Sequence, residues 1–108
     1  MELAEIGKNI LTNCMNVKPG ENVLIVTDDE KYAIGQALYQ AAKLLKAEAM
    51  LMTMTAREVS GQEPPAVVAA AMKAADVVIC PMKTSITHTR AKIEAAEAGA
   101  RIATMPGI

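Results

Sequence analysis

Residues 22–28 read NVLIVTD. The four positions Val23 to Val26 are all apolar, and three of them are β-branched. A strand with one wet face alternates apolar and polar residues. A run with no polar position before Thr27 suits a strand buried on both faces, inside a parallel sheet covered by helices. The neighbouring segments support this. Pro19 and Gly20 form a turn signal just before the run. Upstream, residues 3–17 (LAEIGKNILTNCMNV) place Leu3, Ile6, Ile10, Cys14 and Val17 at helical spacing. Downstream, residues 30–47 (EKYAIGQALYQAAKLLKA) carry the stripe Ile34, Leu38, Ala41 and Leu45, with Asp28 or Asp29 available as a cap.

The same alternation continues to the end of the chain. Residues 49–55 (AMLMTMT) read as a second strand, although Met and Leu are weak strand formers. Residues 56–63 form a loop, and Pro64–Pro65 suit the first turn of a helix over residues 66–75. DVVICPM, residues 76–82, is a third strand, and SITHTRAKIEAAEAG, residues 85–99, is a helix stopped by Gly99. RIATMPGI, residues 101–108, is a fourth strand and then the end of the chain. Strands separated by helices pair in parallel through crossovers. The expected fold is α/β: a three-layer, Rossmann-like sandwich of four parallel strands ordered 2-1-3-4. A chain of 108 residues suits one domain, residues 1–108. An apolar ending on Pro106 to Ile108, with no closing helix, points to a piece of a longer protein.

Composition narrows the function classes. Hydrophobic residues make up 52% and charged residues 21%, so the chain can bury a core. There is no Trp or Phe, so the core is built from Val, Ile, Leu, Met and Ala, each burying modest area. A homo-oligomer would supply extra burial. The net charge of -1, with both signs mixed, gives no bulk attraction to nucleic acid or an anionic membrane. No apolar run approaches the length of a membrane span, and no signal peptide opens the chain. Cys14 and Cys80 read as reduced, semi-buried residues, consistent with a cytoplasmic protein.

The turn after the first strand, TDDEKYAIG, has carboxylates where a dinucleotide pyrophosphate would lie, and it lacks a glycine-rich loop. A receiver-type phosphoacceptor needs a carboxylate ending the third strand, and VVICPM has none. One histidine and two distant cysteines do not make a metal site, so no metal ligands are assigned to this chain. His88 remains. At about 100° per residue it lies roughly 200° from Ile86 and 140° from Ile93, off the apolar stripe. With Ser85 or Thr84 as cap, it would occupy the first helical turn, where the helix dipole favours neutral imidazole. That turn follows a central parallel strand, where open α/β sheets bind ligands. Ser85, Thr87, Thr89 and Arg90 surround it as candidate substrate-binding donors, with the Arg90 head directed to the strand ends or to a partner.

VKPGENVLIVTD (residues 17–28), followed by AADVVICPMKTSITHTRAKIEAAEAGARIATMPGI (residues 74–108), resembles the N-terminal domain of the thermophilic, aminopeptidase T-like leucyl aminopeptidases. The resemblance implies a cytoplasmic metallopeptidase acting on peptide substrates. Its divalent metal, zinc or cobalt, would be held in a C-terminal domain absent from this chain. The present domain would line the cleft and be inactive alone. The same superfamily resembles a ring-cleaving dihydroxypyridine dioxygenase with one iron, where an N-terminal histidine enters the cleft. THTR, residues 87–90, matches that histidine and implies that His88 transfers a proton or contacts substrate. A purely structural or oligomerisation module is the third expectation.

Overall fold

β1 (Asn22–Asp28) is the centre of the molecule. It pairs in parallel with β2 (Glu48–Met54) on one side and with β3 (Val77–Cys80) on the other, and β4 (Arg101–Thr104) pairs in parallel beyond β3. The order is β2-β1-β3-β4, as the alternation of segments predicts. The computed structural model describes residues 3–59 and 61–105, with only the backbone of Leu3, Ala4 and Ile6. The ending on Pro106 to Ile108, read above as a point of continuation, lies outside the described residues.

The double-sided burial of NVLIVTD follows from where the helices lie. Val23 and Ile25 join Val77 and Ile79 in one core, with Leu11, Leu38, Ala41 and Ala42. Leu24 and Val26 join Val78 and Cys80 in the other, with Val68, Met72, Ile86, Ala91 and Ala95. The first face is therefore covered by α2 (Tyr32–Leu44) and by the turn carrying Leu11 that follows α1 (Leu3–Asn9), and the second by α3 (Ala66–Ala74) and α4 (Arg90–Glu97). The step from β1 to β2 runs one way across the sheet with α2 on one face. The steps to β3 and β4 run the other way with α3 and α4 on the opposite face. A single crossover hand requires this arrangement. β2 lies at the sheet edge, and its burial is accordingly patchy, with Met50 exposed and Met54 buried.

Two local features depart from simple periodicity. The opening helix is not α throughout: Ile10–Cys14 is a π-helical turn, closed by Met15 N donating to Ile10 O at 3.0 Å. The wider turn shifts the inward face, so Leu11 and Met15 are buried. Cys14, expected to be semi-buried, is exposed. The second feature is a close approach of α2 to β1. A Cβ on Gly35 would lie 2.7 Å from both Cβ and Cγ2 of Thr27. Only glycine lets the helix sit this close. Thr27 is fully buried, and its hydroxyl donates to Pro81 O at 2.8 Å, so it cannot turn away.

Candidate functional site

In a doubly wound sheet, ligands enter where the strand order reverses, beyond the C-terminal ends of the two diverging strands. Here those strands are β1 and β3. Asp28 ends β1 and is fully buried. Its Oδ1 accepts from Glu30 N (3.1 Å) and Lys31 N (2.9 Å), and its Oδ2 accepts from Lys83 N (2.7 Å), past the end of β3. Asp28 is not the cap of α2, which is Lys31 without a side-chain cap bond. It sews the turn after β1 to the loop after β3, and its carboxylate sits among backbone N–H groups that could otherwise receive an anion. Asp29 does not cap α2 either: its Oδ1 accepts from Ala56 N at 3.1 Å, tying the end of β2 to β1.

The loop after β3 runs from Pro81 to Thr89. Met82 and Ile86 anchor it in the core. The sequence predicts a helix from Ser85 with Thr84 or Ser85 as cap, but α4 begins at Arg90 and its cap is Thr89, whose hydroxyl accepts from Lys92 N at 3.2 Å. The same hydroxyl donates to Ile86 O at 2.6 Å, and Thr89 is fully buried. Its polar groups are spent on holding the turn, not on a ligand. His88 therefore precedes the helix and does not stand in its first turn.

Glu63 reaches α4 from the loop before α3. Its two carboxylate oxygens accept from Arg90 N (2.7 Å) and Ala91 N (3.1 Å). A carboxylate there complements both the unpaired N–H groups and the positive end of the helix. With those donors engaged, the helix terminus no longer bears on His88 as the sequence predicted.

His88 is exposed and lines an open groove of about 520 Å³ with Glu63, Arg90, Ile93, Glu94 and Glu97. Arg90 does not reach back to the strand ends. Its side chain is 83% exposed, with Nε 3.9 Å from a Glu94 carboxylate oxygen. Ser85 and Thr87 occupy a separate position. Ser85 Oγ donates to Thr87 Oγ1 at 2.7 Å, and Thr87 Oγ1 lies 3.0 Å from Thr104 Oγ1, at the end of β4. The five residues singled out in the sequence thus divide three ways. His88 and Arg90 share the groove, Ser85 and Thr87 join a chain of hydroxyls, and Thr89 is internal. Glu63 and Thr104 were not anticipated. The one sequence signal for Glu63 is its place directly before Pro64–Pro65, which holds it extended beside a helix start.

Cys80 closes β3 inside the core, and burial pushes its thiol up to about 12, so it offers no thiolate near neutrality. Among the described residues, no three His, Cys, Asp or Glu side chains converge as a metal site would require. These residues do not fit a metal centre, and no step through a metal is derived for them. The groove brings together an imidazole, a guanidinium and carboxylates beside α4.

No protein-family model matches the chain, and no curated protein matches it either. Among solved structures, the fold is similar to that of one part of a larger protein. The match is 2,5-dihydroxypyridine dioxygenase from Pseudomonas putida KT2440, with a TM-score of 0.76 and 19% identity over 96% of this chain. The chain spans 33% of that protein's length. This match overturns the expectation of a leucyl aminopeptidase and the hydrolase function that went with it. The physical reason lies in the fold: a parallel sheet without its own metal ligands serves many chemistries, so motifs such as VKPGENVLIV report the scaffold and not the reaction. No described helix is long and apolar enough to cross a membrane.

Proposed function

We propose that this chain is the N-terminal α/β domain of a longer, cytoplasmic, ring-cleaving dioxygenase. In it, the 85–90 turn would form one wall of the substrate cleft. The observation that carries the proposal is the superposition of nearly the whole chain on one third of the dihydroxypyridine dioxygenase. A metal and the oxygen chemistry would belong to the rest of the protein, and this domain would supply substrate contacts and a proton-transfer group. His88 is the group best suited to that task. It is exposed, it stands on the loop that leaves the C-terminal end of β3, and a ring hydroxyl must lose a proton as the ring becomes electron-rich enough to react with oxygen.

The test is oxygen uptake by the full-length, metal-loaded protein with 2,5-dihydroxypyridine and related hydroxylated rings. The wild type should consume oxygen. His88→Ala should lose about a hundredfold in kcat, the usual scale for a general base or acid, while keeping its circular dichroism spectrum. A folded His88→Ala enzyme turning over at the wild-type rate would contradict the role of His88. A metal-loaded wild type that consumes no oxygen with any such ring would contradict the function.

A further inference from the structure

We infer that Glu63 is a positioning residue for His88, and that the strap over residues 56–65 carries it to that task. The inference rests on the reading of His88 as a cleft residue, but its geometry is independent of the reaction.

The turn bearing His88 is held from two sides. From within, Thr89 caps α4 and grips Ile86 O. From outside, both oxygens of Glu63 bind the N–H groups of Arg90 and Ala91, the second and third residues after His88. Either contact alone leaves a hinge at residues 88–90. Together they fix the backbone on which the imidazole stands. The bonds to Glu63 are charge-assisted and bidentate, which adds orientation as well as strength.

The strap is shaped to deliver this carboxylate. Gln62 Oε1 accepts from Glu58 N and Val59 N, both at 2.9 Å, closing the strap on itself. Gly61 N donates to Ser85 O at 3.0 Å, docking the strap on the same 85–90 turn. Arg57 Nε donates to Glu63 O at 3.3 Å, and the buried Pro64 then fixes the exit into α3. A solvated loop needs none of these ties. A strap whose contacts end on the residues flanking His88 is suited to setting the place of that side chain.

The chain has one histidine, so its ring resonances are assigned by inspection in a proton NMR spectrum. The experiment compares wild type, Glu63→Gln and Glu63→Ala as the 108-residue chain. Glu63→Ala should narrow the His88 ring resonances and move them toward those of an unstructured histidine. It should also speed amide exchange at Arg90 and Ala91 by about tenfold or more, with cooperative unfolding retained. Glu63→Gln keeps one acceptor and should fall between the two; if Glu63→Ala does not fold, Glu63→Gln decides on the same readouts. In the full-length enzyme, Glu63→Ala should lower kcat about tenfold with KM within about twofold, the pattern of a displaced reacting group. Unchanged His88 resonances and unchanged exchange at Arg90 and Ala91 would overturn the inference, whatever ring the enzyme opens. Altered resonances with an unchanged kcat would confine Glu63 to the structure and overturn its part in the reaction.

Discussion

Replacing Gly35 with alanine sets two effects of similar size against each other. Alanine in a helix is favoured over glycine by about 1 kcal/mol, so an exposed Gly→Ala change would stabilise α2. At Gly35 the new methyl would stand 2.7 Å from Cβ and Cγ2 of Thr27 and 3.0 Å from its Oγ1. Carbon atoms rest about 3.5–4.0 Å apart, so the shortfall is about 1 Å. Thr27 cannot yield cheaply, because its hydroxyl is bound to Pro81 O in a fully buried site. Retreat of α2 would loosen Leu38, Ala41 and Ala42, the residues of its own buried face. Overpacking of this kind costs about 1–3 kcal/mol, and here the upper half applies because both sides are rigid. The net expectation is a loss of about 1–2 kcal/mol, a fall in Tm of roughly 4–8 °C per kcal/mol. Urea unfolding followed by circular dichroism reads this directly. Adding Thr27→Ser, which drops Cγ2 and keeps the hydroxyl, should recover part of the loss, a coupling of about 0.5–1 kcal/mol. A Gly35→Ala chain as stable as wild type, or more so, would refute the close-approach account.

Three further outcomes follow from named contacts. Asp28→Ala leaves three backbone N–H groups without their carboxylate and should cost about 3–5 kcal/mol in urea unfolding, since each such bond is charge-assisted but two of the donors can regain water; a loss below about 1 kcal/mol would mean the stitch between β1 and β3 is not structural. Glu21 is held below its ordinary 4.5 by the hydrogen bond from Arg101, then by Lys18 N–H, so its stabilisation is present above that pH and lost as pH falls through the lower folded value. The urea midpoint of wild type should therefore drop more between pH 7 and 3.5 than that of Glu21→Gln, and equal drops would contradict the pairing. Native protein should react with one equivalent of a thiol reagent at the exposed Cys14, and with a second, at Cys80, only in urea; two fast equivalents in native buffer would place Cys80 outside the core.

The fold was legible because its signal is local. NVLIVTD announces double-sided burial, and the helices needed on both faces follow from it. The starts of helices were less legible. SITHTR offers several hydroxyl caps in six residues, and the choice of Thr89 goes with the carboxylate of Glu63, which lies on another loop, 27 residues before the Arg90 N–H it binds. Cys14 was placed wrongly because a π turn changes the period without any residue that marks it. Ser85 and Thr87 were visible as donors, yet their partner Thr104 comes into reach only when β4 is laid beside β3. The peptidase expectation failed for a different reason: the most recognisable stretches build the sheet, and the sheet does not determine which bond is broken.

The central claim is that this domain serves an enzyme that puts dioxygen into an aromatic ring. The most direct test is turnover of 2,5-dihydroxypyridine by the full-length protein under ¹⁸O₂, with mass spectrometry of the product. The account predicts a ring-opened product carrying both labelled oxygen atoms. A product whose new oxygen comes only from water, or an intact ring with the label left in the gas, would contradict it.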